Sequence, residues 1–495
     1  MDVTEILMVG KGFEDFLEEF SDCFGRCDTQ AYLGIYVRGQ NSDLQRKSAE
    51  PIALRERVKP RSLQAFLGWL SWDEDRMVRR VQEIVMRDHA DPWAIGLVDE
   101  TPVPKKGRHT AGVQPQWCGL TGKVDNCLVS VHCGYTAGDF HCLLDSDIFL
   151  PKAWADDLQR REATGIPKDV VFRTKPQIAM DQIRGALANG VRVAAWTFDE
   201  HYGRTYAVLD GLDQLGQTYV GEVPSTFCGW VKPPKVVYRA RSKKKRAGVA
   251  TRQPLRLAGN APPVSEVRDL LRHSPAFYNQ PWTPVHIKEG EKGPVVREVK
   301  VAQFWMRRNG LPTRSHWLIV GRNPQEPDVI KYFVSNAPGG TALEWLVYVG
   351  YSRWPIERCF QEEKDELGFD HFEVRGWRSI HRHMYLTQVS HLYLNKARQV
   401  LLARESAAEK SRFFSRERWR RRASGVSGGE LDALPDPHWL GGVYCGASVE
   451  AVRSKSDPAS RVVADQLCPK SQRHRQALPP QANYRKPGAT KPVPG

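Results

Sequence analysis

Two short apolar runs, each ending on an aspartate, constrain this chain more than any other feature. Trp93-Ala94-Ile95-Gly96-Leu97-Val98 stops at Asp99, and Val193-Ala194-Ala195-Trp196-Thr197-Phe198 stops at Asp199. Runs of that length, set off by a breaker such as Asp91-Pro92, read as buried strands. Each aspartate opens a turn carrying further acid and glycine, DETPVPKKG and DEHYG. Between them, LTGKVDNCLVSVHCGYTAGDFHCLLDSDIFL reads as two extended segments about a glycine turn, and QIAMDQIRGALANG as a helix stopped by glycine. Strand, hairpin, helix and strand in that order predict an α/β sheet, with ligands gathered beyond the strand ends.

The rest of the chain is organised around this unit. Residues 1–84 space their apolar side chains three and four apart in FEDFLEEF, SLQAFLGWL and DRMVRRVQEIVMRD, which predicts a helical N-terminal domain. The α/β unit covers 85–218. Residues 219–335 alternate strand-like pieces with Gly, Pro and charged turns and read as a mainly β insertion. Helical spacing returns over 336–408. Residues 409–495 lose it and read as a basic, partly disordered, flexible tail. Residues 401–495 hold 17 Lys plus Arg against 9 Asp plus Glu, a net +8 of the chain's +15. A surplus of that size favours an acidic polymer or surface as partner.

No run of eighteen uncharged apolar residues occurs, so no membrane span is expected, and the acidic start MDVTEILMVGKGFEDFLEEF does not resemble a secretory signal. A cytoplasmic location is the expectation. Of ten cysteines only Cys23 and Cys27 lie close together, which reads as free thiols in a reducing compartment. The fourteen histidines include no HxxxH pair, and His381 and His383 lie two apart, off a shared helical face.

A third acid belongs to a helix. In RWPIERCFQEEK, Glu357 follows Arg353 by four positions and precedes Phe360 and Lys364 by three and seven, along one side of a helix. A surface helix laced by i,i+4 ion pairs is the plain alternative. Together the three acids suit phosphodiester chemistry, in which carboxylates hold two divalent ions, one activating the attacking hydroxyl and one stabilising the leaving oxygen. Magnesium accepts such an all-oxygen set without histidine or cysteine. Arg353 and Lys364 would then offset phosphate repulsion.

The segments WAIGLVDETPVPKKG, QWCGLTGKVDNC, AAWTFDEHYG, SNAPGGT and RWPIERCFQEEKDELGFDHFEVRGW resemble the DDE transposases of bacterial insertion sequences over roughly residues 30–400. The likeness is to the branch with an RNase H-like catalytic core interrupted by a β insertion. It implies that Asp99, Asp199 and Glu357 are the catalytic, metal-binding triad, with two Mg2+ ions or Mn2+ in their place. It also implies cleavage and strand transfer of an insertion element, by a cut-and-paste route with a hairpin intermediate. The implied partners are double-stranded DNA, the element's terminal inverted repeats and target DNA, with a homodimer on paired ends and nucleoid association when bound. Residues 1–84 would bind DNA. Of the family's tyrosine, arginine, glutamate, lysine signature, Arg353, Glu357 and Lys364 fit; the tyrosine position is Gly350, and Tyr351 falls one residue late.

Other residues suit DNA contact beside this triad. Trp354 either packs in the core or stacks on an unpaired base. Lys105 and Lys106 are surface-turn residues or hold terminal phosphates, and His371 and Arg375 meet phosphate or pair with local acids. Lys243, Lys244, Lys245 and Arg246 form a non-specific grip. Asp125 and Asn126 would support the first aspartate. A metal-dependent nuclease without strand transfer, or a DNA-binding protein that has lost catalysis, would carry much of the same pattern.

Overall fold

The computed structural model describes residues 3–238, 255–290 and 293–423. Five helices open the chain: α1 (Val3–Glu18), α2 (Cys27–Gln40), α3 (Ala49–Arg55), α4 (Pro60–Gly68) and α5 (Glu74–Asp88). α5 shows why they form. Asp73 caps it by accepting from the Arg76 N–H, Glu74 and Asp75 sit in its first turn, and Met77, Val81, Ile84 and Val85 are buried at helical spacing.

The α/β core follows. β1 (Ile95–Pro104), β2 (Gln114–Cys118), β3 (Lys123–Ala137) and β4 (Phe140–Ile148) lead through α6 (Lys152–Ala155), α7 (Leu158–Thr164) and α8 (Lys175–Ala188) to β5 (Ala195–Phe198). The sheet runs β2-β3-β1-β5, with β4 on β3. β1 is antiparallel to β3 and parallel to β5, and its pairing with β5 ends at Val98↔Phe198. The first strand therefore does not stop at Asp99, as the sequence pattern suggested. It continues to Pro104, held by β3 alone along that stretch, and this one-sided pairing tolerates Pro102 and Pro104. Gly96 is required where it stands, because a Cβ there would lie 2.3 Å from the Trp196 ring.

After β5 come α9 (Glu200–Gly203) and α10 (Tyr206–Gln214), then the insertion. Its strands are β6 (Val220–Val223), β7 (Cys228–Trp230), β8 (Val236–Tyr238), β9 (Leu255–Leu257), β10 (Ser265–Glu266), β11 (Thr283–Gly290), β12 (Gly293–Arg308), β13 (Leu311–Asn323) and β14 (Glu326–Ser335). Seven of them form one sheet in the order β10-β7-β12-β13-β14-β6 with β11 on β12, while β8 pairs with β9. Asn309 and Gly310, with φ of 50° and 80°, turn β12 into β13, a two-residue hairpin whose twist suits the strands. Two short helices that strand patterning did not foresee, α11 (Val267–His273) and α12 (Pro275–Tyr278), lie within it. β6 leaves the core beside the returning β14, and the Asn336 side chain joins their roots, accepting from the Tyr219 N–H and donating to the Gln217 carbonyl, both at 2.8 Å.

The chain then forms α13 (Leu343–Tyr351), α14 (Trp354–Asp365) and α15 (Trp377–Ala423). Pro355, in the first turn of α14, separates the first two. α15 continues fifteen residues past the expected end near 408. Residues 424–495 and the cluster Lys243, Lys244, Lys245 and Arg246 lie outside the described residues. α15 packs on α1, α2, α4, α5, β4 and α14, so one apolar core joins the N-terminal helices to the sheet. No helix among the described residues is long and apolar enough to cross a membrane.

Two buried histidines in this core predict acid sensitivity. His132 is held between the Ser130 and Ser146 hydroxyls, at 2.7 and 2.6 Å. His383 meets the Tyr36 hydroxyl at 2.8 Å and the Gly368 and Phe369 carbonyls at 3.1 Å. Burial pushes His132 down to about 3 and His383 down to about 4. Below the unfolded value near 6.5 the unfolded chain takes up protons that these folded rings refuse. Stability should therefore fall from pH 6.5 towards pH 4, with each ring contributing about 2 kcal/mol of loss by pH 5. Urea titrations at pH 7 and pH 5 check this. His383→Gln should shrink the difference by its share, and an unchanged difference would refute the assignment.

Candidate active site

Asp99 and Asp199 come together because β1 and β5 are parallel neighbours whose last paired residues immediately precede them. Asp199 caps α9, accepting from the backbone N–H of His201 at 2.9 Å and of Tyr202 at 3.3 Å. Gly203 closes that turn, where a Cβ would lie 1.8 Å from the Glu222 carbonyl oxygen. The DEHYG motif is thus a cap and a close approach in one. Asp99 is buried and accepts from the Glu100 N–H at 2.8 Å.

Glu357 lies in the first turn of α14, and Arg353 joins it to the strand acid. One guanidinium nitrogen bonds Asp99 and another lies 2.7 Å from Glu357. The i,i+4 pair anticipated for a plain charged helix is present, but it extends to a buried strand carboxylate. Burial, together with repulsion from Asp199 and Glu357, outweighs Arg353 and lifts the Asp99 carboxyl to about 7. Arg353 is pulled down by its own burial, yet the same three acids leave its pKa raised. This all-oxygen acid set fits divalent cations: three carboxylates repel one another around a single arginine.

The other expected site residues take different settings. Lys364 stays near Asp99, donating to the Thr101 hydroxyl and the Pro102 carbonyl, and burial lowers its pKa. Lys105 turns inward to the Phe372 carbonyl at 2.9 Å, with its ammonium 3.5 Å from the Phe372 ring centre; burial pushes it down to about 8. Asn126 braces the same turn, donating to the Lys105 and Gly107 carbonyls, while Asp125 accepts from the Asn126 N–H. Lys106 and Arg375 are exposed, and His371 accepts from the Lys47 N–H at 3.1 Å.

Tyr351 and Trp354 part company across the helix break. A Cβ at Gly350 would lie 3.2 Å from Val220 and 3.3 Å from Phe333, so a larger side chain there would need both to shift. Tyr351 packs on Phe333, its hydroxyl against Gly321 and without a hydrogen bond among the described residues. Trp354 is exposed rather than core, flanked by Lys288 at 5.2 Å and Arg358 at 5.9 Å. It faces a cleft of about 1190 Å³ bounded by Lys288, Arg297 and Arg322 of the insertion and by Glu357 and Arg358 of α14. These cations of the insertion line the cleft, and strand patterning alone did not single them out.

A second constellation was also missed. His141 on β4, Glu362 on α14 and His391 on α15 bring their ligand atoms within 4.8 Å of one another, a cluster consistent with a divalent cation site. It is the only such group among the described residues; Asp99, Asp199 and Glu357, spread around Arg353, do not draw in as closely.

A mixed α/β core with Asp99 and Asp199 just beyond the last paired residues of the parallel neighbours β1 and β5 fits a DDE-like nuclease fold consistent with DNA cleavage. The chain belongs to the DDE superfamily endonucleases, whose pattern its residues 19–294 match, a span that includes both aspartates and ends before Glu357. It is also 23% identical over 358 residues to a protein of Microchaete diplosiphon described as "Probable transposase for insertion sequence element IS701", covering 71% of this chain and 78% of that one. Membership of the family implies binding to DNA.

Proposed function

We propose that the protein is a DDE transposase that cuts the ends of an insertion element and joins them to target DNA, with Asp99, Asp199 and Glu357 as its catalytic acids. The observation that carries this reading is Arg353, which ties the buried strand residue Asp99 to the helix glutamate, with Asp199 just past the end of the neighbouring parallel strand. The three acids would hold two Mg2+ ions, or Mn2+ in their place. Bound there, the ions would supply an activated hydroxyl and neutralise the leaving oxygen.

The chain's own groups supply recognition. Arg353 gives up a carboxylate and turns its fork to a phosphate, a bidentate contact for which its geometry suits it. Lys364 steadies β1 beyond Asp99 and adds charge next to the same phosphate. Trp354, exposed between two cations, stacks on a base at the element end. The terminal inverted repeats and target DNA are the substrates, a homodimer assembles on paired ends, and residues 1–84 take part in binding them. The hairpin route and the residue 85–218, 219–335 and 336–408 division belong to the same reading, as does a nucleoid-associated, cytoplasmic location.

Incubation with element-end DNA and magnesium, followed by sequencing of product ends, tests it. Joined products are expected; cleavage without joining in every condition would make the protein a nuclease, and no cleavage a DNA-binding protein. Binding should weaken steeply with salt, and Lys288→Ala should lower the magnitude of the log–log salt slope by about 1 through one lost phosphate contact. Filter binding over a salt series measures this, and an unchanged slope places Lys288 away from the DNA.

A further inference from the structure

We propose that His141, Glu362 and His391 form a zinc site, separate from the three catalytic acids, that fixes α14 to the core. Glu362 Oε2 lies 3.1 Å from His141 Nε2 and 3.0 Å from His391 Nε2. An ion bonded tetrahedrally at about 2.0–2.1 Å holds its ligand atoms about 3.3 Å apart; these two contacts are close to that, and all three ligand atoms lie within 4.8 Å of one another. Two imidazoles and one carboxylate favour zinc over magnesium, which prefers oxygen and retains its waters.

The surroundings orient both rings for this task. His141 Nδ1 lies 3.2 Å from the Asp139 carbonyl, and His391 Nδ1 lies 3.5 Å from Glu363 Oε1. Acceptors at Nδ1 keep the proton there and leave Nε2 as the ligand atom, the arrangement typical of a supported metal-binding histidine. Glu363 is fully buried and faces His391 Nδ1, and burial raises its pKa. Asn395 donates to the His141 carbonyl at 2.9 Å and lies 3.1 Å from His391 Nε2, on the rim of the site. Arg358 and Arg398 approach the other Glu362 oxygen, at 2.8 and 3.6 Å, and so leave Oε2 for the ion.

The three ligands come from three elements, and Glu362 stands five residues after Glu357 on α14. An ion here would hold the glutamate's helix against β4 and α15. The proposal does not depend on the transposase reading, because its test needs no DNA.

The full chain, stripped with chelator and then dialysed against zinc with excess magnesium, should retain one zinc per chain more than the Glu362→Gln chain treated alike. Glu362→Gln, which preserves side-chain size, and His141→Gln should each weaken zinc binding at least tenfold, and zinc should raise the melting temperature of the wild type but not of these variants. Asp99→Asn and Glu357→Gln should bind zinc as the wild type does. Cobalt(II) added to the wild type should give the intense visible bands of a tetrahedral site, a readout that stands even if a variant fails to fold. The proposal is overturned if the zinc count is the same in Glu362→Gln, if it is lost in Asp99→Asn, or if cobalt gives no such bands.

Discussion

Glu357→Gln is expected to lower metal-dependent DNA cleavage by roughly 10³-fold, about 4 kcal/mol of transition-state stabilisation, while DNA affinity holds or rises. The amide keeps the side chain's size and removes the charge that would hold a divalent ion. It also removes a negative charge facing phosphate, so binding has no reason to weaken. In the absence of metal, Arg353 keeps its bond to Asp99, and the fold around α14 should survive. Arg353→Ala should behave differently. It leaves Asp99 and Glu357 without their shared cation and the DNA without a phosphate clamp, so affinity and cleavage should fall together. Lys364→Ala should lower both less severely. Cleavage assays and calorimetric magnesium titrations on the three variants separate these roles. Near-normal cleavage by Glu357→Gln would remove Glu357 from the triad. Glu366 would then be the nearest candidate on the same segment, since Glu362 and Glu363 are engaged with His391.

The largest effect on stability is expected at a residue far from the acids. Arg382 on α15 is fully buried, donating to Glu74 and to the Phe66 and Leu70 carbonyls, with its guanidinium 4.4 Å from the Trp72 ring centre. Arg382→Ala should cost about 3–5 kcal/mol, because it leaves buried acceptors unpaired and opens a cavity between α15 and the N-terminal helices. Arg378 bonds the same Glu74 oxygen at 2.8 Å, but its side chain is 56% exposed. Arg378→Ala should therefore cost under about 1 kcal/mol. Urea denaturation of the two variants gives the comparison. Equal losses would mean that burial does not govern these arginines.

Local patterns made much of this molecule readable before its structure. The two aspartates followed apolar runs, and parallel pairing of those runs brought them together. Gly96, inside an apolar run, and Gly203, read as a turn residue, proved to be points where Trp196 and the Glu222 carbonyl leave no space for a Cβ. The continuation of β1 was hidden because DETPVP reads as a turn, whereas pairing with β3 holds it extended. The helix past residue 408 was hidden for the opposite reason. ESAAEKSRFFSRERWRRRA has no regular apolar stripe but is rich in Ala, Glu, Lys and Arg, which favour helix by propensity alone. His141 and His391 lie 250 positions apart, and each sits in an ordinary core-like stretch. Only the packing of β4 against α15 gives them a common neighbour in Glu362.

The adjoining roots of β6 and β14 make the insertion a side branch with a closed neck. Its exit and return are hydrogen-bonded neighbours, stitched by Asn336, so the spacing between Asp199 and Glu357 is set at the neck and not by the chain beyond it. Lengthening a surface turn out on that branch costs only the slow logarithmic growth of loop entropy. The branch can therefore be remodelled at its surface while the acids behind the neck keep their places.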